Sequence, residues 1–164
     1  MIAKVIDTNV LIVANGKAEQ ASLECQPNCN KALEETRRTL IVIDDGFRIL
    51  NEYQHKVNPS GQPGPGDAFL KWLLQNRSDP ERCEAVRLTP NDRNSFDEFP
   101  DEPDLALFDP SDHKFVAVAK SSRHKPKILN AVDSDWWNFR DVLMRNHIHV
   151  SFICPDQEAK WAQK

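Results

Sequence analysis

An α/β fold, a three-layer α/β/α sandwich around a short and mostly parallel central sheet, is predicted by two features of this 164-residue chain. Its apolar runs read as strands, and the clearest, Thr39-Leu40-Ile41-Val42-Ile43, is continuous rather than alternating, the pattern of a strand covered on both faces. They alternate with segments whose apolar residues recur at helical spacing, as βα units require. Acidic residues at Asp7, Asp44-Asp45, Asp112 and Asp133-Ser134-Asp135 stand where an apolar run ends or a helix begins. In an open parallel sheet the carboxyl ends of the strands share one edge, where ligands bind. Carboxylates distant in sequence are therefore expected to meet there, and such a cluster repels itself unless protons or hard divalent cations neutralise it.

Each element has its own warrant. Ala3-Lys4-Val5-Ile6 reads as a strand ending at Asp7, and Thr8-Asn9 supply turn and capping groups before the short helix of Val10-Leu11-Ile12-Val13, closed by Gly16. A second helix is expected near residues 27–38, with Glu34 and Glu35 on its wet side, before the strand of residues 39–43. Ile49, Leu50, Tyr53 and Val57 predict a helix over about 45–57, with Glu52 on the flank of that stripe and able to reach the sheet edge. Residues 58–66, rich in Pro and Gly, form a loop, and Asp67 is the expected N-cap of a helix over 68–77.

Residues 79–110 carry five prolines and only short apolar runs, so they are expected to be loop and turns. Loops of this length in a compact domain often cover or bind something. Asp109 or Ser111 then caps a helix whose first turn holds Asp112, on the same face as Phe115 and Ala119. Residues 127–132 predict a third strand ending at Asp133, followed by a helix from Trp136 toward Met144, a last strand at 149–153, and a terminal helix from Pro155 carrying Trp161.

The length suits one domain, residues 1–164, with a real core. A net charge of -4 and a pI of about 5.7 exclude a global basic field, so nucleic acid would have to bind a local patch. No apolar stretch approaches the roughly 20 residues that span a bilayer, and the first residues lack a secretory pattern, which predicts a cytoplasmic protein and no membrane partner. Cys25, Cys29, Cys83 and Cys154 are too scattered for a disulfide framework, and reduced thiols are expected. Cys25 and Cys29 share a helix face, but no second Cys/His pair stands at zinc spacing.

Taken singly, Asp7, Asp112 and Asp133 read equally well as helix caps, Glu52 as a solvated charge, and Asp44-Asp45 as cap and turn. Capping, however, does not require all of them to face one edge. Together, Val5-Ile6-Asp7-Thr8-Asn9-Val10-Leu11, Glu52, Asp109-Pro110-Ser111-Asp112 with Lys114-Phe115-Val116-Ala117, and Asn130-Ala131-Val132-Asp133-Ser134-Asp135-Trp136 resemble a PIN-domain nuclease over nearly the whole chain. The resemblance implies a short parallel sheet between helices and metal-dependent cleavage of a phosphodiester, usually in single-stranded or structured RNA, and many members of the family are toxins of toxin–antitoxin pairs. It makes Asp7, Glu52, Asp112 and Asp133 the acidic set, with Asp135 as a further metal ligand and Thr8 and Asn9 beside the site, orienting carboxylate or water. The 58–66 loop and the 79–110 segment depart from the smaller members of the family.

Mg²⁺ or Mn²⁺ is the expected cofactor, because carboxylates hold such ions while leaving positions open for water. Asp7 and Asp133 are expected to hold the principal ion and Asp112 to complete or bridge the site, while Glu52 binds a second ion or orients water. Substrate contact is assigned to Thr8 and Asn9 and to a basic stretch over 113–127, chiefly Lys114, Lys120 and Arg123, whose other reading is a helix end complementing its dipole. RNA, with single-stranded DNA as a second substrate, an antitoxin or regulatory protein, and a second copy of the chain are the expected partners. There is no Gly-x-Ser-x-Gly elbow and no phosphate-cradling Gly-rich loop ending in Lys, and Ser111, Asp112 and His113 are adjacent on a helix and so diverge. The competing reading is a noncatalytic module, PIN-like or receiver-like, that binds a cation, RNA or protein. In a receiver Asp7 and Asp44-Asp45 would be the acidic pair, but the lysine expected after a late strand does not follow Ile153.

Overall fold

The computed structural model describes residues 1–163. Five strands, β1 (Ala3–Ile6), β2 (Leu40–Asp44), β3 (Cys83–Val86), β4 (Lys127–Asn130) and β5 (Val150–Phe152), form one wholly parallel sheet in the order β3-β2-β1-β4-β5. Among the described residues eight α-helices surround it: α1 (Thr8–Ala14), α2 (Cys25–Thr36), α3 (Arg48–Lys56), α4 (Pro65–Asn76), α5 (His113–Ser121), α6 (Ser134–Asn138), α7 (Arg140–Arg145) and α8 (Pro155–Ala162). The chain winds from β1 to β2 and β3 in one direction along the sheet, then crosses back to β4 and β5. Right-handed crossovers place the helices of the two directions on opposite faces. Accordingly α1, α2 and α4 pack on one another, while α5 lies across β2, β1 and β4. The expected α/β class, with a parallel sheet between helical layers, is what the chain forms.

One apolar core joins both layers. All five residues of β2 are buried, and Val5, Ile6, Leu11, Phe69, Phe115 and Ile128 contribute to the same cluster. Asp44 is itself fully buried and accepts from the backbone N–H groups of Arg48 and Ile49, at 3.0 and 2.9 Å. That cap explains why α3 starts at Arg48 rather than at the expected Asp45.

Three further boundaries differ from expectation. Asp67 lies in the first turn of α4 instead of capping it, and its carboxylate pins the preceding loop by accepting from Asn58 N (2.7 Å), Gly64 N (2.8 Å) and Asn15 Nδ2 (3.0 Å). Gly66 is required there because a Cβ would come within 2.3 Å of the Leu11 carbonyl oxygen, so α4 crosses α1 at backbone contact. The helix expected from Trp136 toward Met144 is broken at Phe139, whose ring packs edge-on against Phe108 at 5.3 Å.

The stretch over 79–110 is more ordered than its prolines suggest. It supplies β3, whose first residue Cys83 is buried beside Ile41 of β2, and then an antiparallel bridge between Pro90 and Phe96. His113 fastens the rest of it. Its ring stacks on Phe99 with centroids 3.8 Å apart, its Nδ1 meets Ser95 Oγ at 2.7 Å and its Nε2 meets the Phe108 carbonyl at 3.0 Å. Burial lowers the pKa of His113. The residue is a structural clamp, which its position beside Asp112 did not reveal.

The cysteine expectation is overturned. Cys25 and Cys154 form a disulfide that ties the start of α2 to the residue preceding α8, 129 positions away. Cys29 lies one turn along α2 from Cys25, and one sulfur of each of the three lies within 4.8 Å of the others. Scattered positions were no argument against a bond, because α2 and the end of β5 converge only after folding. Cys29 and Cys83 are buried thiols, each pushed up to about 12 by burial. No helix among the described residues is long and apolar enough to cross a membrane.

Candidate metal centre

β1 and β4 are neighbours, and between them the direction of winding reverses. Such a switch point opens a crevice at the carboxyl ends of the strands. Asp7 follows β1, Asp133 stands three residues beyond β4, and Asp112 precedes α5, which packs over both strands. One oxygen from each of these three carboxylates lies within 4.8 Å of the others. Asp7 and Asp112 are 5% and 8% exposed and Asp133 is half-buried. Oxygens sharing a Mg²⁺ ion at 2.0–2.1 Å stand about 3–4 Å apart, so three converging carboxylates of this spacing fit a single hard divalent cation.

The carboxylates are held by neighbours rather than left to collapse. Asp7 caps α1 by accepting from Asn9 N at 2.9 Å, and its other oxygen accepts from the indole N–H of the fully buried Trp136 at 2.7 Å. Asp133 caps α6 by accepting from Asp135 N at 2.9 Å. Capping and clustering are thus the same act here, not alternatives. Burial, and then the neighbouring Asp133 and Glu52, raises Asp7 to about 7 against the lowering effect of its two hydrogen bonds. Burial, followed by Asp7 and Asp133, raises Asp112 to about 9. Asp133 is also raised, first by burial and then by the neighbouring acids Asp135 and Asp109, against the lowering effect of the Asp135 N–H. Buried acids this close to one another favour binding a proton or a cation.

The remaining expected residues divide sharply. Glu52 lines the same cleft of about 410 Å³ as Asp7 and Asp133. It lies outside the three-oxygen group, however, because Thr8 Oγ1 donates to one of its oxygens and Lys114 Nζ to the other, at 2.9 Å for the lysine. Thr8 therefore orients a carboxylate, and Lys114 is an ion-pair partner also donating to Ser111 O. Asp135 is not among the converging carboxylates; it gives its backbone N–H to Asp133. Asn9 uses its side chain as a clip, donating from Nδ2 to Asn130 Oδ1 at 2.8 Å and accepting from Ala131 N at 2.9 Å. It holds β1 to the end of β4 and has no acceptor left to offer a substrate.

The expected basic stretch does not stay together. Only Lys114 is at the acidic edge. α5 runs about 13 Å from there toward the start of β4. Lys120 donates to the Asn146 carbonyl at 3.0 Å, and Arg123 lies exposed beyond the helix end, just before Lys127 opens β4. Lys120 and Arg123 thus belong to the opposite edge of the sheet from the carboxylates. The cation that does line the acidic cleft is Lys56, at the exposed end of α3, and it also lines an adjoining cavity of about 630 Å³ with Lys17 and His55.

Sequence reading missed two positioning residues. Trp136 reads as an ordinary helix-face aromatic, and its bond to Asp7 spans 129 positions. Asn130, fully buried, accepts from Asn9 and donates to the Asp133 carbonyl at 3.0 Å, so it carries the β1 clip through to the third carboxylate. A polar residue ending an apolar strand was the available signal. Compared with the models of known protein families, with curated proteins and with solved structures, the chain matches none.

Proposed function

We propose that this chain is a Mg²⁺- or Mn²⁺-dependent nuclease that hydrolyses phosphodiester bonds, with single-stranded or structured RNA as the main substrate and single-stranded DNA as a second. The observation that carries this reading is the meeting of Asp7, Asp112 and Asp133, from three separate segments, at the switch point of a parallel sheet. An oxygen-only donor set with pKa values raised first by burial and then by the neighbouring carboxylates suits a hard divalent cation, which in return restores the charged forms. Bound there, a divalent ion supplies the positive charge that screens phosphoryl oxygens, activates water and stabilises the leaving oxygen.

The chain's own groups have distinct tasks in this reading. Asn9 N–H and Trp136 N–H fix the plane of the Asp7 carboxylate, leaving its remaining lone pairs for the cation. Asp112 gives up its proton when the cluster is neutralised. Glu52, held by Thr8 and Lys114 at the mouth of the cleft, accepts from a water approaching the phosphate; with both oxygens engaged it is a water-orienting group rather than a second-ion ligand. Lys56 meets a neighbouring phosphate.

A toxin role with an antitoxin or regulatory partner, and association of two copies, belong to the same proposal and rest on the resemblance to PIN-domain nucleases. A cytoplasmic location belongs to it as well, carried by the apolar pattern of the sequence; the Cys25–Cys154 disulfide weighs against it.

The test is incubation of the purified protein with mixed RNA and with single-stranded DNA in Mn²⁺, Mg²⁺ or excess chelator. Cleavage that needs the ion and disappears in Asp7→Asn at unchanged circular dichroism is the expected result. Equal cleavage in chelator, or full activity of Asp7→Asn, overturns the metal mechanism. No cleavage with any substrate, alongside saturable Mn²⁺ binding that Asp7→Asn abolishes, returns the protein to the noncatalytic reading.

A further inference from the structure

Beside the acidic cleft lies a second cavity of about 490 Å³, lined by Ser134, Trp137, Arg140 and Trp161 among others, within the range of about 300–1,000 Å³ typical of small-ligand clefts. Ser134 lines both cavities, and it is the residue after Asp133. The two clefts therefore meet at Ser134.

The second cavity is built from flat groups. The Arg140 guanidinium lies 3.8 Å from the centroid of the Trp137 ring, and its Nη1 is fixed by donating to the Trp137 carbonyl at 2.7 Å. The Trp161 ring stands 6.2 Å from that of Trp137, and Phe152 meets both indoles edge-on, at 5.3 and 6.1 Å, bracing them from the end of β5. Trp137, Arg140 and Trp161 are each only half-buried, although indoles bury large apolar area when they pack for stability alone.

We propose that Trp137, Arg140 and Trp161 form a base-stacking subsite, which receives an unpaired nucleobase of the strand whose phosphate lies at Asp7, Asp112 and Asp133. The inference rests on the nuclease reading for its occupant. Three observations favour a nucleobase: the subsite shares a residue with the acidic cleft, it pairs aromatic faces with a fixed guanidinium, and it offers no buried carboxylate that would repel a polyanion. It also answers the problem set by a net charge of -4 and a basic stretch on the wrong edge. Stacking supplies affinity that salt does not screen, and it discriminates for single strands because paired bases cannot enter.

The experiment separates this subsite from the chemistry by working in excess chelator, where cleavage is off. An oligoadenylate eight-mer, its DNA counterpart, and a DNA eight-mer with abasic sites at its centre are titrated while tryptophan fluorescence is read. Both intact strands are expected to quench it, and the abasic strand, with the same phosphates, to bind about tenfold more weakly. Trp161→Ala and Arg140→Gln are expected to lose about the same factor while Mn²⁺ affinity is unchanged. Equal binding of the abasic and intact strands overturns the subsite, as does unchanged quenching in Trp161→Ala; the abasic comparison uses the unaltered protein and so does not depend on the variants folding. Quenching by a peptide library without quenching by the strands also overturns it, in favour of a protein-docking face. Failure of cleavage in Mn²⁺ alongside base-dependent quenching would remove the nuclease reading and leave the subsite standing.

Discussion

Two strand ends of this molecule start from the same local pattern and finish differently. β1 and β2 are adjacent and largely buried, and at the carboxyl end of each an aspartate, Asp7 just after β1 and Asp44 as the last residue of β2, accepts from the first turn of the next helix. At β2, Asp44 is satisfied from its own helix, by Arg48 N, Ile49 N and the Arg48 guanidinium at 3.2 Å. At β1, Asp7 receives one local N–H and one indole N–H from 129 positions away, and faces two more carboxylates. Position in the sheet accounts for the difference. β2 lies between β1 and β3, which are reached by crossovers in the same winding direction, whereas the reversal at β1 and β4 leaves a crevice into which Asp112 and Asp133 project. A buried acid with its counter-charge on the same helix is a structural cap; a buried acid whose neighbours are other acids is where the proposed metal site lies.

The largest effect expected from this contrast is on activity. Asp7→Asn should lower metal-dependent cleavage by about a thousandfold or more, because the charge that holds the ion is lost while the shape is kept. Asp44→Asn should leave kcat within about threefold once the protein is folded, since it touches no cleft residue; equal losses in the two variants would break the distinction between cap and site.

Stability should rank the two ends in the opposite order. Asp44→Ala removes three accepted hydrogen bonds and leaves Arg48 unpaired, a loss of about 2–4 kcal/mol in denaturant unfolding. Asp112→Asn should instead stabilise the ion-free protein at pH 8, where the native carboxyl otherwise keeps its proton at a site surrounded by acids. The pH dependence carries the same sign. Asp7 and Asp112 have native pKa values of about 7 and 9, above their ordinary 3.8. Between about pH 4 and 9 the native state therefore binds more protons than the unfolded chain, and stability in chelator falls as pH rises through that window. Asp112→Asn should flatten this decline and raise Tm at pH 8 by on the order of 5 °C, and Mg²⁺ should do the same for the unaltered protein. A Tm that rises from pH 5 to 8 in chelator would mean that burial and the neighbouring acids do not hold protons on Asp7 and Asp112.

The smallest effects belong to the far edge of the sheet. Reversing the charges of Lys120 and Arg123 should change RNA binding by less than about twofold, whereas Lys56→Glu should weaken it about tenfold and flatten its salt dependence. A large loss from Lys120 and Arg123 would show that the substrate wraps round the molecule to that edge.

Much of this was legible in the sequence because it is local. Short apolar runs marked four of the five strands, and Asp7, Asp112 and Asp133 stood out by their places beside strands and helix starts. β3 was obscured because Cys83-Glu84-Ala85-Val86 is an edge strand in a proline-rich stretch, with too little apolar character to read alone. Trp136, Asn130 and the clip made by Asn9 escaped because their partners are more than a hundred positions away. The basic stretch misled for the same reason: lysines close in sequence on α5 are carried to opposite edges of the sheet by its length.

By itself the sequence determined the alternation of strands and helices, the caps at Asp7 and Asp133, and the absence of a global basic charge, since these follow from side-chain periodicity, short-range hydrogen bonding and composition. Tertiary structure alone decided which acids meet, that Glu52 is taken by Thr8 and Lys114, that Cys25 joins Cys154, and that Trp137 and Trp161 line one cavity with Ser134. The physical reason is that a carboxylate's chemistry depends on charges and donors within a few ångströms, and in a parallel sheet those neighbours come from strands joined by long crossovers.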